Sequence, residues 1–305
     1  MTRLNAENFK ILNYFRRYAY GPIPYCMQIA SGKKGDHVLI AGGTHGNEPS
    51  GVRAAVEFHR LLCNGEIALK RGKISFLLGN PKAYEKNVRY LEKDLNRAFT
   101  KDDTSTEEGR RVIEIKGFLR ENSDIKSLLD LHSVSIGDFK IVVYNKENPE
   151  NTMFAINISA IQLHFAFHPE HMPGTLIEEA GRYNITGLIV ECGNHDSGTG
   201  VETALQHIHH LLVQHNLIDE GTIPRGLTTA RITQYESILA IKPHPNFTFL
   251  VKNIETGTGL KKGQTFARDD HGDHLAPQDC FVVVPSKVMK PTDHDAGFLC
   301  SVNML

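Results

Sequence analysis

The sequence has no long apolar run, no excess of either charge and no paired cysteine motif. No stretch approaches the ~18 consecutive apolar residues of a membrane span, and residues 1–20 lack the apolar core of a signal peptide. Lys and Arg number 34 against 35 Asp and Glu, so the basic excess of nucleic-acid binders is missing. The five cysteines show no C-x-x-C spacing, which favours free thiols in a reducing compartment. We therefore predict a soluble cytoplasmic protein that binds neither membranes nor nucleic acid.

The order of apolar segments predicts two domains. The chain has 305 residues, enough for one large domain and a smaller one. Predicted strands alternate with predicted helices, which implies an α/β sheet with helices on both faces; the strands are 37–41, 73–78, 127–131, 140–144 and 187–190, and the helices are 49–62, 106–120, 151–161 and 199–214. After about Pro224 the segments become short and β-like, at 231–233, 247–251 and 281–284. We predict a catalytic domain over 1–224 and a β-rich domain over 225–305.

Two imidazoles and a carboxylate follow predicted strands. His45 and Glu48 lie between strand 37–41 and the helix that begins near Pro49, and His132 ends strand 127–131. Open α/β sheets bind ligands beyond the carboxyl ends of their strands. Two His and one Glu are a ligand set for catalytic zinc that leaves a fourth position open. The alternative is that His-x-x-Glu occurs here by chance and that the Gly-rich loop is only a turn.

Two further carboxylates lie at strand ends. Glu191 follows strand 187–190, where it could take a proton from a zinc-bound water and deliver it to a leaving amine. It could equally cap the next helix or pair with a surface Lys. Asp130 lies two residues before His132 and on the same face of a strand, so it could orient that imidazole. The alternative for Asp130 is a buried polar residue bonded to backbone.

The segment 89–97 is dense in cationic and amide side chains. Arg89 and Arg97 can form bidentate pairs with carboxylates, and Asn96 adds a neutral donor. This set suits a small anionic substrate. A solvated charged loop is the alternative.

The order of these motifs resembles the succinylglutamate desuccinylase/aspartoacylase family. The matching motifs are His45-Gly-Asn-Glu48, Asn80-Pro81, Arg89-Tyr90, Asp94-Leu-Asn-Arg97, Asp130-Leu-His132 and Glu191-Cys-Gly193. The resemblance implies a zinc amide hydrolase with a carboxypeptidase-like mixed sheet and a β-rich C-terminal domain. It further implies roles for seven residues: His45, Glu48 and His132 as ligands of one zinc per chain, Glu191 as general base and acid, and Arg89, Asn96 and Arg97 as substrate or transition-state contacts.

Finer features resemble the desuccinylase branch. These features are three sets of segments: residues 65–67 followed by residues 77–81, the tripeptide Pro173-Gly174-Thr175, and residues 284–285 together with residues 297–299. Two departures from aspartoacylases point the same way: their substrate Arg corresponds here to Gly181, with Arg182 next to it, and their C-terminal Tyr has only Tyr235 as a counterpart. We predict N-succinylglutamate as the substrate of a zinc-dependent amidohydrolase. The alternatives are N-acetylaspartate or another N-acyl amino acid, a peptide-cleaving carboxypeptidase, and a non-catalytic zinc-binding protein. A homodimer is compatible with each of them.

Overall fold

The computed structural model describes residues 3–159, 161–221, 231–286 and 295–305. Its helices are α1 Arg3–Arg17, α2 Pro49–Cys63, α3 Pro81–Lys86, α4 Leu95–Ala98, α5 Glu107–Glu121, α6 Pro149–Ile158, α7 Leu176–Gly181 and α8 Thr199–Gln214, with a 3₁₀ turn at Pro169–His171. Its strands are β1 Cys26–Ala30, β2 His37–Gly42, β3 Lys73–Leu78, β4 Ile125–Val134, β5 Lys140–Asn145, β6 Leu163–Phe167, β7 Thr186–Asn194, β8 Thr233–Ala240, β9 Thr248–Phe249, β10 Thr258–Leu260, β11 Thr265–Asp269, β12 Gly272–Leu275, β13 Cys280–Val283 and β14 Phe298–Met304.

Within these described residues, eleven strands form one mixed sheet in the order β1-β3-β2-β4-β7-β5-β6-β8-β14-β13-β10. The strands β3, β2, β4 and β7 run parallel to one another. Their carboxyl ends therefore meet at one edge, where open α/β sheets place their sites. The strand β5 runs antiparallel to β7 and makes the sheet mixed.

Apolar side chains of the central strands alternate between the two faces of the sheet, as the twofold strand period requires. In β2, Val38 and Ile40 join a core with α1, α2, α6 and α8, whereas Leu39 and Ala41 join a second core with α4, α5 and α7. Helices therefore cover both faces, which confirms the predicted carboxypeptidase-like α/β class.

The C-terminal region is β-rich, as predicted, and it continues the main sheet. The strand β8 pairs in parallel with β6, and β14, β13 and β10 follow it. A separate three-stranded sheet, β12-β11-β9, packs its apolar residues into a third core with Leu260, Val282 and Leu299. The predicted domain boundary at 224/225 lies outside the described residues, so the division into two domains stays a prediction.

Several elements were not predicted, and others are longer than predicted. The helix α1 was not predicted although its apolar residues lie on one face, and the short strands β1 and β6 were not predicted either. The strand β4 runs through His132 to Val134, and β7 runs through Glu191 to Asn194, so both site residues lie inside strands rather than just after them. None of the helices described is both long and apolar enough for a membrane crossing.

Candidate metal centre and cleft

The turn between β2 and α2 holds His45 and Glu48 close to the sheet edge. Pro49 takes the first position of α2, where its missing N–H leaves no bond unmade. Glu48 is the residue that caps this helix, yet its side chain makes no cap hydrogen bond and turns into the site. Gly46 lies against the backbone of α3: a Cβ there would be 2.1 Å from the carbonyl carbon of Ala83. Glycine at this position lets the loop lie against α3.

The structure brings His45, Glu48 and His132 together in a buried cluster. The Nδ1 atom of His45 lies 2.8 Å from Oε1 of Glu48, and the Nδ1 atom of His132 lies 2.9 Å from Oε2. One donor atom from each of the three side chains lies within 4.8 Å of the other two. Three nitrogen and oxygen donors converging in this way can hold a divalent metal ion.

Two buried aspartates hold the outer nitrogens of the imidazoles. The Nε2 atom of His45 lies 3.1 Å from Oδ1 of Asp94, and that of His132 lies 2.9 Å from Oδ2 of Asp130. The other carboxylate oxygen of Asp130 accepts a hydrogen bond from the Thr44 hydroxyl at 2.9 Å. Carboxylates placed behind metal-bound histidines fix the ring tautomer and orientation. Asp130 thus contacts His132 as the sequence suggested, and Asp94 occupies the equivalent position behind His45. That these carboxylates orient metal-bound imidazoles stays a prediction.

This donor set fits a cation. With Nε2–H donated to Asp94 or Asp130, each Nδ1 would turn a lone pair toward the Glu48 carboxylate, and a metal ion satisfies all three groups at once. Without a metal ion, burial alone would raise the pKa of Glu48, but protonated His45 and His132 rings, donating Nδ1–H to it, hold this pKa well below its usual value. Glu48 also accepts a hydrogen bond from the backbone N–H of Ser133 at 3.1 Å. The carboxylate is therefore anionic and fixed in place.

Glu191 lies beside His132 because β4 and β7 pair in register at these two residues. Burial of its carboxyl group raises the pKa of Glu191 to about 7, while the neighbouring His132 imidazole opposes the shift. Its Oε2 atom is buried and forms no hydrogen bond with any residue that the structure describes. A carboxyl group with this pKa and a free oxygen can accept and return a proton near neutral pH.

Arg89 reaches the same cluster through Asp94. Its Nε and one terminal nitrogen donate to Oδ2 of Asp94 at 3.1 and 2.9 Å, and the other terminal nitrogen lies 3.4 Å from Oε1 of Glu48. Asp94 therefore contacts both His45 and Arg89. Burial by itself would raise the pKa of Asp94, but the Arg89 guanidinium and the His45 imidazole hold it well below its usual value. Asp94 begins the motif Asp94-Leu-Asn-Arg97, but its spacing in the sequence predicts no role for it.

Glu108 in α5 holds the segment that carries Arg89 and Asp94. Its carboxylate is fully buried and accepts from the backbone N–H groups of Leu91, Glu92 and Lys93 at 2.8, 3.2 and 3.3 Å. Asn80 adds a fourth hydrogen bond at 3.1 Å. The segment is thus an ordered loop around a carboxylate rather than a solvated charged one. Nothing in the sequence separates Glu108 from the partly exposed Glu107 beside it, because only the tertiary fold buries Glu108.

Asn96 and Arg97 line the same cleft, but each already has protein partners. The Asn96 side-chain oxygen accepts from the backbone N–H of Leu176 at 2.8 Å. The guanidinium of Arg97 donates twice to Oδ2 of Asp295, at 3.2 and 3.0 Å, and once to its neighbour's backbone carbonyl. Asp295 is 2% exposed and also forms an ion pair with Lys242. No sequence signal pointed to Asp295, which lies 198 residues from Arg97.

All seven predicted site residues line one cleft. His195 lines it too, with Nδ1 3.0 Å from the Ser133 hydroxyl, and sequence reasoning had singled out neither residue. Arg182 lies elsewhere: its side chain is 53% exposed and pairs with Glu179 at 2.9 Å. Tyr235 is buried against Phe281, with ring centroids 5.9 Å apart, and is not among the residues lining the cleft.

Comparison with known proteins agrees with this geometry. Residues 34–214 match the family described as the succinylglutamate desuccinylase/aspartoacylase catalytic domain. A probable aspartoacylase from Prochlorococcus marinus (strain MIT 9515) is 31% identical over 169 residues, which cover 51% of this chain and 53% of that protein. An N-acyl-aromatic-L-amino acid amidohydrolase from Xenopus tropicalis is 36% identical over 106 residues, covering 32% of this chain and 34% of that protein.

Solved structures share the fold along most of the chain. The succinylglutamate desuccinylase from Vibrio cholerae superposes with a TM-score of 0.73 at 18% identity, covering 90% of this chain and 85% of that one. The chain spans about half the length, or less, of the curated relatives that it matches. The family match nevertheless extends over more than half of the residues and includes His45, Glu48, His132 and Glu191. The chain belongs to the succinylglutamate desuccinylase/aspartoacylase family.

Proposed function

We propose that this protein hydrolyses the amide bond of N-acyl amino acids with one zinc ion held by His45, Glu48 and His132. The observation that carries the proposal is the convergence of both Nδ1 atoms on Glu48, with Asp94 and Asp130 behind the rings and Glu191 beside them. Two imidazoles and one carboxylate favour zinc and leave a coordination position open. When bound, zinc supplies a Lewis acid and lowers the pKa of its water to about 7.

Glu191 is the proposed base and acid. Its free carboxylate oxygen accepts a proton from the attacking water, whose oxygen forms the new bond to the amide carbon. The same carboxyl group then gives that proton to the departing nitrogen as the carbon–nitrogen bond breaks. The products are a carboxylate and a free amino acid.

Arg89 and the pair Asn96/Arg97 are the proposed substrate contacts. Arg89 lies 3.4 Å from Glu48, so its remaining N–H groups are near the place where the carbonyl oxygen becomes negative. Asn96 keeps its amide N–H₂ for a ligand, because its oxygen is already taken by Leu176. Arg97 keeps the N–H groups that neither Asp295 nor the Asn96 carbonyl uses. Together Asn96 and Arg97 suit the α-carboxylate that every N-acyl amino acid carries.

N-succinylglutamate is the substrate that the sequence favours, and several neighbours in fold are named succinylglutamate desuccinylase. N-acetylaspartate and N-acyl aromatic amino acids are the alternatives that the names of the curated relatives suggest. A non-catalytic zinc-binding role has less support, because Glu191 would then be a costly carboxyl group without a partner. The cytoplasmic location and the homodimer stay predictions.

The test combines metal content with a substrate panel. Purified protein should contain about one zinc per chain, and His132→Ala should lose it, whereas His171→Ala, which changes a histidine outside the cleft, should keep it. The zinc-loaded protein should release free amino acid from at least one N-acyl amino acid and leave peptides longer than a dipeptide intact. Zinc retained by His132→Ala, or no hydrolysis anywhere in the panel, would refute the proposal.

A further inference from the structure

The internal pairing of Arg97 with Asp295 bears on which N-acyl amino acids the cleft accepts. We propose that Asp295 is a specificity-determining residue that limits the cleft to substrates with one carboxylate and an apolar arm, aliphatic or aromatic. This inference rests on the proposed function and names the substrate class of the same site.

Asp295 takes guanidinium N–H groups of Arg97 that a second substrate carboxylate could otherwise bind. Two of the guanidinium N–H groups are directed at Oδ2 of Asp295, and the Asp295 carboxylate is almost fully buried. A buried carboxylate in contact with a guanidinium is hard to displace, because the released charge would be left without a partner in a medium of low dielectric constant. Arg97 therefore has donors left for one carboxylate, not for two.

Among the residues around the cleft that the structure describes, the charged side chains leave no positive excess for a polyanion. In and directly behind the cleft wall, the described carboxylates outnumber the described cations. The carboxylates are Glu48, Asp94, Asp130, Glu191 and Asp295, and the cations are Arg89, Arg97 and Lys242. A divalent metal ion brings the formal sum only to neutrality. N-succinylglutamate would add three carboxylates to this setting. An N-acyl amino acid with an apolar side chain adds one, which Asn96 and Arg97 can meet.

One part of the cleft wall is apolar, and it begins beside Glu191. Ile189 precedes Glu191 by two residues in β7 and so faces the same side of the sheet. Ile189 pairs in register with Val143, and Val143 pairs with Phe165, which forms a row across three strands. Phe298 extends this row, with its ring centroid 4.9 Å from that of Phe165. An apolar arm can pack along this row, whereas a distal carboxylate would lose its hydration there without gaining a partner.

The test measures kcat/KM for two substrates with the same preparation of each variant. The ratio of the two values does not depend on what fraction of the protein is folded. Wild type should hydrolyse N-acetylphenylalanine with at least tenfold higher kcat/KM than N-succinylglutamate. Asp295→Asn should narrow this ratio about tenfold or more, mainly through a lower KM for N-succinylglutamate. Asp295→Glu, which keeps the negative charge, should keep the wild-type preference for N-acetylphenylalanine. Asp279→Asn, an exposed carboxylate paired with Lys261 in the same region, is the matched control and should leave the ratio unchanged.

Two further variants separate a role through Arg97 from a structural role. In an Arg97→Gln background, Asp295→Asn should no longer change the ratio of the two kcat/KM values. The reason is that Asp295→Asn acts by freeing the Arg97 guanidinium, which this background lacks. Lys242→Met removes the other partner of Asp295, so the preference for N-acetylphenylalanine over N-succinylglutamate should stay the same or increase. A smaller preference in Lys242→Met would overturn the proposal. This result can be read even if Asp295→Asn does not fold.

Binding measured without turnover distinguishes this proposal from the proposed function. Isothermal titration of Glu191→Gln should show tighter binding of N-acetylphenylalanine than of N-succinylglutamate. If the panel is hydrolysed but N-succinylglutamate is preferred, the substrate class is wrong and the hydrolase stands. If nothing in the panel is hydrolysed, the hydrolase proposal fails, and the titration still decides whether the cleft prefers one carboxylate.

Discussion

His132 and Glu191 occupy paired positions of the neighbouring parallel strands β4 and β7. Their side chains therefore emerge on the same face of the sheet, one strand spacing apart. The pairing depends on backbone register, which rigid strands in the centre of a large sheet hold firmly. A metal ligand and a proton acceptor on such strands keep their relative positions more closely than residues on loops can.

Glu191→Gln tests the proton transfer proposed for this pair. Glutamine keeps the shape of the side chain but cannot accept a proton, so kcat should fall by about 10²–10⁴. Zinc content, measured by mass spectrometry, should stay at the wild-type level. Glu202→Gln, an exposed residue of α8, is the matched control. Activity of Glu191→Gln within tenfold of wild type would assign the base to another residue.

Asp130→Asn and Asp94→Asn test the carboxylates behind the imidazoles. Loss of such a partner typically weakens metal binding by about 10- to 100-fold. Asp130 contacts His132 and Thr44, so Asp130→Asn should mainly weaken zinc binding in competition with a chelator. Asp94 also binds Arg89, so Asp94→Asn should in addition lower kcat at saturating zinc. The exposed Asp102→Asn should change neither quantity. Unchanged zinc affinity in both variants would remove these carboxylates from the metal site.

Glu108→Gln tests the loop around Arg89 and Asp94. One oxygen that accepts backbone N–H groups becomes a donor, so hydrogen bonds worth about 1.5–3 kcal/mol each are lost. The free energy of unfolding should fall, and kcat/KM should fall with it because Arg89 loses its position. Glu107→Gln is the control, since Glu107 pairs with Lys82 and Arg110 at the surface, where such pairs contribute about 0–1 kcal/mol. Equal effects of the two substitutions would contradict a special role of Glu108.

Gly46→Ala tests the close approach to α3 of the turn that carries His45 and Glu48. The added methyl group would lie 2.1–2.5 Å from backbone atoms of Ala83 and Tyr84, which cannot rotate away. Such overpacking typically costs about 1–3 kcal/mol, and displacement of the turn should lower zinc occupancy. Gly181→Ala is the matched control, since no atom lies within 4 Å of a Cβ there. Normal zinc occupancy in Gly46→Ala would show that the turn tolerates displacement.

His207 should make stability fall in mild acid. Its Nδ1–H donates to the Thr203 carbonyl at 2.8 Å and its Nε2 accepts from Ser159 at 2.9 Å, so both nitrogens are satisfied in the neutral ring. Burial lowers the pKa of His207 from 6.5 to about 4, and the nearby His210 and Lys140 act in the same direction. The unfolded chain therefore takes up a proton below pH 6.5 that the folded chain refuses until about pH 4.

The stabilising contribution of neutral His207 is thus complete above pH 6.5 and is lost as the pH falls toward 4. The loss amounts to about 2 kcal/mol at pH 5. Urea unfolding at pH 7 and pH 5 should show that His207→Gln reduces the difference in stability between the two pH values. The exposed His271→Gln should leave that difference as in wild type. An equal difference in His207→Gln and wild type would contradict the assignment.

Local sequence was sufficient for much of the framework. The strands β2 and β3 and the helices α2 and α8 follow from apolar periodicity and from Pro49 at a helix start, and their bounds agree within a residue. By contrast, the five-residue strand β1 was missed because its place at the sheet edge depends on pairing with β3, more than 40 residues away. The helix α1 was missed although its sequence has helical apolar spacing. The junction of β8 with β6 was also missed, because hydrogen bonding between strands leaves no mark in the composition of either strand.

The sequence by itself determined which side chains could bind a metal and that they follow strands of an α/β sheet. His45 and Glu48 are three residues apart, so a single tight turn brings them together whatever the rest of the chain does. Only the tertiary structure decided the partners that set the properties of these groups. Asp94 lies 49 residues from His45, and Asp295 lies 198 residues from Arg97. Such distant pairs form through the packing of the whole chain, and burial at those contacts decides whether a carboxylate and an arginine face the substrate or each other.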